Sequence, residues 1–446
     1  MKYNKKFKPK PFTYEKDDFA HDTIRYRFRN ILHELDNYYE DAVAQIYKGD
    51  ELRDMIHKRP FSYDTCMETR FCKPETLMNK LSEDDQKELG NLYKAYLPTD
   101  KTNKAVFKEA PFIDAEHFYY FYILNVFFGL PKGIQEYMSD GNREVMDPYK
   151  LKKRKSIEDD VKGSYSYILV CLERINTFKS EYRRDILEKI VKLSLDTNSC
   201  DLSQLGGKNI HPIPEQNVFP NNTTGFVDYF LKEGGKGDEK TEPKLIVNYL
   251  VDNGSVEFFS DLTFAFDALQ LPYVKEVNFY VNKLPIFVSD VIEDDYSYMM
   301  ETIRRCINKE LLCADGKKKE YNSSLNKIEK MVESGRIKIK PGFIWNTPTE
   351  YRVLAKNNSE VFRQQNSVLI IKGDLNYRRL AGDKDWYYKK NLEKITQDFL
   401  GCPTLVIRSF KSDLVVDYNY KQIKKNNKDN RYWRENGEYG TIRFLP

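Results

Sequence analysis

Histidine is scarce and unevenly placed: the chain has five (His21, His33, His57, His117 and His211), and none follows position 211. Any metal held by the second half must therefore use oxygen ligands, a donor set that suits hard or borderline cations such as Mg²⁺ or Mn²⁺. The seven cysteines are an odd number and form no CxxC pair. That excludes a disulfide framework and a zinc knuckle, and reduced thiols are expected. No apolar run is long enough to cross a bilayer, which takes about 20 residues. The longest, FYYFYILNVFFGL from Phe118 to Leu130, is interrupted by Asn125 and reads as a buried helix. The basic start MKYNKKFKPKPFTYEK is followed by no apolar stretch of the secretory kind, so the cytoplasm is the expected compartment. A strong charge of one sign is missing too, since 72 basic against 68 acidic residues leave +4. Nothing in that balance points to a nucleic-acid partner. No GxxxxGK[ST] occurs, so nucleotide hydrolysis lacks its usual phosphate loop.

What is present is the balance of a globular protein, 40% hydrophobic and 31% charged over 446 residues, enough for two structural units. From about residue 20 to 200 the apolar positions recur at helical spacing, as in AHDTIRYRFRNILHELDNYYEDAVAQIY and YSYILVCLERINTFKSEYRRDILEKIVKLSL. The polar stretch QLGGKNIHPIPEQNVFPNNTTG then breaks the periodicity. Beyond it, short β-branched and aromatic runs (KLIVNYLVD, VNFYVN, GRIKIKP, SVLIIK, TLVIRS) alternate with helical segments, the signature of parallel strands with crossover helices. The expected fold class is α/β. A helical bundle at 1–205 should cap a Rossmann-like domain at 225–446 with a mostly parallel sheet. KQIKKNNKDN near the C-terminus reads as a solvated loop.

In open α/β sheets, ligands bind beyond the carboxyl ends of the strands. The unusual polar residues of this sequence cluster there. LIVNYLVDNGSVEFFSDL delivers Asp252 and Asn253, PIFVSDVIEDD delivers Asp290, KGDLNYRR delivers Lys372, Asp374, Asn376 and Arg378, and LVIRSFKSD delivers Arg408 and Lys411. Each has an ordinary reading alone: DNG as a capped turn, Asp290 as a helix N-cap, Arg408 and Lys411 as a solvated face or ion pairs. Together, acidic groups at two ends and cations at two others suit a divalent cation with an anionic ligand, and hence phosphoryl transfer.

LVDNGSVEFFSDL, FVSD, KGDLNYRRLAGD and RSFK resemble, in order and spacing, the metal-dependent damage-control phosphatases, in particular the branch also described as acidic-residue methyltransferases. The resemblance implies that Asp252, Asn253 and Asp290 hold a divalent metal, Mn²⁺ or Mg²⁺ with Ni²⁺ and Co²⁺ as further candidates. It also implies that Asp374, Leu375, Asn376, Tyr377 and Arg378 line a substrate-phosphate pocket with Lys411, and that Glu257 lies nearby. Arg408 and Lys411 fall in Arg408-Ser409-Phe410-Lys411, which fits the family's Arg-Thr-x-Lys element with serine in second place. Asn198 and Asp201 keep the polar positions of a Leu-Trp-Gly-Asn-x-x-Asp-Leu-Ser element in which Asp196-Thr197 replace Trp-Gly. DPYKLKK, from Asp147, also has a family counterpart, whereas Phe121 and Tyr122 stand where the family carries two arginines. The implied activity is hydrolysis of small phosphorylated metabolites, sugar phosphates such as fructose 1-phosphate. Two alternatives stand beside it: S-adenosylmethionine-dependent methylation of a protein carboxylate, and a weakly active ligand-binding protein on the same fold. Against methylation, KEGGKGDEK precedes its strand rather than following it and reads as a linker.

Overall fold

The computed structural model describes residues 9–12, 18–56, 58–68, 75–96, 110–141, 145–163, 166–177, 183–199, 212–234, 243–309, 316–357, 359–430 and 432–446. Seven strands form one sheet in the order β1-β7-β6-β5-β2-β3-β4. They are β1 (Val218–Asn221), β2 (Leu245–Leu250), β3 (Val274–Asn282), β4 (Ile337–Gly342), β5 (Ser367–Lys372), β6 (Thr404–Ser409) and β7 (Gly440–Leu445). Every pairing is parallel except that of β6 with β7. From β2 the chain steps outward through β3 to β4, then returns to place β5 on the other side of β2. The order therefore reverses between β2 and β5, and it is at such a switch point that an α/β sheet opens a crevice.

Because side chains alternate across a strand, the central strands feed two cores. Leu369 and Ile371 of β5 and Val406 of β6 join one core with Phe28, Tyr119 and Leu124. Val368, Ile370, Leu405 and Ile407 join the other with Leu172, Val191 and Phe258. The helical first half thus divides between both faces. Helices Phe28–Ile46 and Phe112–Phe128 lie on one, and Lys150–Lys162, Tyr167–Asn176 and Arg183–Asn198 on the other. The aromatic run beginning at Phe118 is a buried helix, as its length required.

Three local expectations are corrected. The polar connection before residue 225 contains β1, a four-residue edge strand whose Pro220 suits an edge, where one backbone N–H goes unused. All of KQIKKNNKDN but its last residue lies within a helix, Tyr420–Asp429, whose Ile423 docks against Trp433 and Phe410. Asp290 is no N-cap: the next helix runs Glu293–Asn308 with Ile292 in that place, and its first turn is closed by Asp295 Oδ2 accepting from the Ile292 N–H at 3.0 Å. KEGGKGDEK beyond Gly234 lies outside the described residues, as does Asp201. Among the described residues no helix is long and apolar enough to cross a membrane.

Candidate active site

Asp252 and Asn253 leave the tip of β2 and turn through Gly254 into the helix Ser255–Ala268. Ser255 enters that helix at a φ of 57°, in the left-handed region. Asp290 arrives on a tighter device. Phe287 and Val288 sit at φ 58° and 65°, and the Ser289 N–H donates to Phe287 O at 2.7 Å. A β-branched residue in that region is strained, at about 1–3 kcal/mol, and such strain persists where the surroundings fix it. Here the two turns are stitched together. Gly254 N donates to Ser289 O at 2.6 Å, Val291 N to Asp252 O at 3.1 Å, and Asn253 bridges Asp290 in antiparallel fashion.

The side chains continue the stitching. Asn253 Nδ2 donates to Asp252 Oδ2 (3.0 Å) and to Glu257 Oε2 (2.8 Å), while Asn253 Oδ1 accepts from Ser289 Oγ at 2.6 Å. Asn198 Nδ2 reaches Asp252 Oδ2 (2.8 Å) and Glu257 Oε1 (3.0 Å), and its Oδ1 accepts from Ser409 N at 2.9 Å. Asn282 Nδ2 donates to Asp290 Oδ2 at 2.9 Å. Beneath Glu257, the buried Lys372 ammonium sits 3.2 Å from Glu257 Oε1 and 2.5 Å from Asp261 Oδ1. Gly373, at φ 93°, lets β5 pass against Asp252: a Cβ there would lie 2.0 Å from the Asp252 carboxyl carbon.

The resulting cleft is narrow and is lined by Asp252, Asn282, Asp290, Tyr280, Trp345, Leu375, Asn376 and Arg379, among others. Asn376 closes the switch point, donating to Val251 O and Lys372 O at 2.7 Å each and accepting from the Tyr351 hydroxyl. Burial raises the pKa of that hydroxyl to about 12, so it stays a donor.

Of the residues expected at the site, Asp252, Asn253, Asp290, Glu257, Asn198, Leu375 and Asn376 come together. The cations are placed differently. Arg378 spends its fork on Asp383 (2.9 and 3.0 Å) and reaches Glu116 at 2.7 Å. Arg408 bonds Asp374 Oδ1 at 2.6 Å and Leu414 O at 2.7 Å, and it lies over the Tyr377 ring. Both guanidiniums are buried, and charge at that depth is met by carboxylates and not by the crevice. Lys411 is also buried, its backbone N–H donating to Asp374 Oδ1 at 3.2 Å. Asp374 thus organises the β6 end, taking Arg408, Lys411 N and Ser412 Oγ on one oxygen. Arg379, Glu116, Asn282 and Ser289 were not among the expected site residues. Only Arg379 carried a signal, as the second cation of KGDLNYRR.

The donors suit a hard divalent cation: the Asp252 and Asp290 carboxylates line one cleft, with the Asn253 amide against Asp252 and Gly373 leaving room beside it. Among the described residues no cluster of three or more His, Cys, Asp or Glu could hold a metal, so amide and solvent oxygens would have to complete such a shell.

Residues 68–425 match the family described as the damage-control phosphatase ARMT1-like domain. The chain is 26% identical over 286 residues to damage-control phosphatase ARMT1 of Mus musculus, covering 62% of each chain. It is 25% identical over 311 residues to that of Homo sapiens, covering 65% of this chain and 67% of the human one. The match thus spans 62% of the mouse protein's length. Among solved structures, a DUF89 family protein from Pyrococcus horikoshii aligns over 79% of this chain and 90% of that one, with 14% identity and a TM-score of 0.31.

Proposed function

Because the chain belongs to the ARMT1-like damage-control phosphatase family, we propose that it is a metal-dependent phosphatase of small phosphorylated metabolites, with sugar phosphates such as fructose 1-phosphate as the substrate class. The observation that carries this reading is the convergence of Asp252 and Asp290, from separate turns, on one cleft at the switch point. Asp252, Asn253 and Asp290 are the proposed metal ligands. A cation bound there would polarise a phosphoryl oxygen or lower the pKa of a bound water. The chain's own part is positioning. Asn198 and Asn253 hold the Asp252 carboxylate from one side, Gly373 admits it from the other, and Asn282 fixes Asp290. Helices begin directly after both strand tips, at Ser255 and Asp374, so their positive ends favour an anionic ligand between them.

The test is a phosphate-release screen across sugar phosphates with Mg²⁺, Mn²⁺, Co²⁺ or Ni²⁺. Turnover should need added metal, vanish with chelator and ignore S-adenosylmethionine. Metal content equal in wild type and Asp252→Ala, or methyl transfer to a carboxylate without phosphate release, would overturn the reading.

A further inference from the structure

Arg379 forms no ion pair among the described residues, and the acidic group whose charge favours it is Asp290, on the same cleft. Its guanidinium is almost fully buried, yet its hydrogen bonds run to backbone carbonyls: Nε to Thr349 O (3.3 Å), Nη1 to Trp345 O (3.0 Å) and Nη2 to Ile344 O (3.1 Å). It lies 4.8 Å from the Tyr351 ring centre. Among the described residues no carboxylate lies within ion-pair distance of it. Its neighbour in sequence, Arg378, has two. On its far side Arg379 borders a second cavity lined by Asp114, Glu350 and Asp383. Asp383 is taken by Arg378, and Glu350 by Lys384 at 2.5 Å.

A guanidinium has five N–H donors, and three are engaged here, which leaves two. Burying a charge without an ion pair is costly, and once a cation takes up Asp290 such a group is expected to meet an anion in the working state. The charged residues that line the cleft are Asp252, Asp290 and Arg379. A divalent cation held by the two carboxylates would balance them and leave the arginine's positive charge over. That charge calls for an anion.

We propose that Arg379 is a substrate-binding residue, its two remaining N–H groups holding oxygens of the substrate's phosphoryl group across the cleft from Asp252 and Asp290. This rests on the phosphatase reading above. The three carbonyls fix the plane of the fork, so the site selects a tetrahedral oxyanion that can accept two parallel bonds, a geometry that lysine cannot reproduce.

The experiment uses the full chain, a saturating divalent cation and inorganic phosphate as the probe, with Arg379→Gln and Arg379→Lys as variants. Phosphate affinity and kcat/KM should fall about ten- to a hundredfold in Arg379→Gln. Arg379→Lys should recover only part of the loss. Divalent-cation affinity, measured by calorimetry without phosphate, should stay the same or tighten, because a nearby positive charge has gone. A merely structural arginine predicts instead that metal and phosphate binding weaken together with the thermal midpoint, and that result overturns the assignment. If Arg379→Gln does not fold, a folded Arg379→Lys with wild-type phosphate affinity overturns it as well. Phosphate binding that depends on Arg379, in a wild type that hydrolyses no phosphoester, would sink the phosphatase reading and keep Arg379. Wild type that binds no phosphate sinks the Arg379 assignment.

Discussion

At the scale of single residues, Gly373 makes the sharpest prediction. Its φ of 93° is unfavourable for any side chain, and a Cβ would lie 2.0 Å from Asp252 Cγ. Contact that close cannot be accommodated, so Gly373→Ala must move β5 or the carboxylate. Turnover and metal affinity should both collapse, with destabilisation of about 2–4 kcal/mol by urea unfolding. Wild-type metal affinity in this variant would detach Asp252 from the site. Asp114 makes a second prediction, about pH. Burial, with Asp383 and Glu350 beside it, raises its pKa from 3.8 to about 7. Arg378, Arg379 and Lys384 line the same cavity. A carboxyl that holds its proton more tightly when folded adds stability below the unfolded pKa and loses it as pH rises through the folded one. The protein should therefore lose stability between about pH 4 and pH 7 through this group. Asp114→Asn should remove that slope, gaining about 1–2 kcal/mol at pH 8 after allowance for solvent, and almost nothing at pH 4. Parallel stability curves for the two proteins across that window would refute the assignment.

At the scale of elements, the site is held by a helix from the other half of the chain. Lys153, on Lys150–Lys162, donates to Asp295 Oδ2 at 2.6 Å and to Asp290 O at 3.1 Å, and pairs with Asp147 Oδ2 at 3.0 Å. Burial alone would lower its pKa, but Asp147 and Asp295 outweigh burial and raise it. Its own carbonyl accepts from Ser255 Oγ at 3.0 Å, so one residue clamps both ligand-bearing turns. Lys153→Met leaves the buried Asp147 without its cation and Asp295 with Lys150 alone at 3.3 Å, and should cost about 3–5 kcal/mol by chemical denaturation. A loss below about 1 kcal/mol would show that the clamp is ornamental. These elements also mark how far the sequence could be read. Five strands were legible because buried parallel strands are continuous β-branched or aromatic runs. β1 is too short and carries Pro220, and β7 pairs antiparallel after a helix, Tyr420–Asp429, whose Lys- and Asn-rich sequence reads as a loop, so neither left that pattern. Asp252 and Asn253 were legible from their strand tip. Asp290 was legible as a residue but not in its left-handed turn, which no residue type announces. The pairing of the arginines was not legible for a physical reason: charge is visible in sequence, its partner is not, and Arg378 finds Glu116 across 262 positions.

At the scale of the whole molecule, the question is whether the α/β half can stand alone. Both cores say that it cannot. On one sheet face, about a dozen apolar side chains from residues before 205, Leu172, Ile175, Val191 and Leu195 among them, pack with Val247, Val368 and Ile407. On the other, Tyr119, Phe121 and Leu124 pack with Leu250, Leu369 and Ile371. Stripping a dozen buried side chains from a core forfeits roughly 1.5–3 kcal/mol each, which exceeds the 5–15 kcal/mol by which a whole domain is usually stable. The site would lose its parts as well, since Asn198 orients Asp252 and Lys153 holds the Asp290 turn. A fragment of residues 225–446 should accordingly show no cooperative unfolding transition, expose apolar surface to a dye such as ANS and release no phosphate. Co-expression with residues 1–224 is the informative control. The two pieces should associate through the same faces and regain a transition, with turnover returning in proportion to the complex formed. A lone fragment with a sharp transition and full metal-dependent turnover would mean that the helical half is an accessory to the site and not part of its frame.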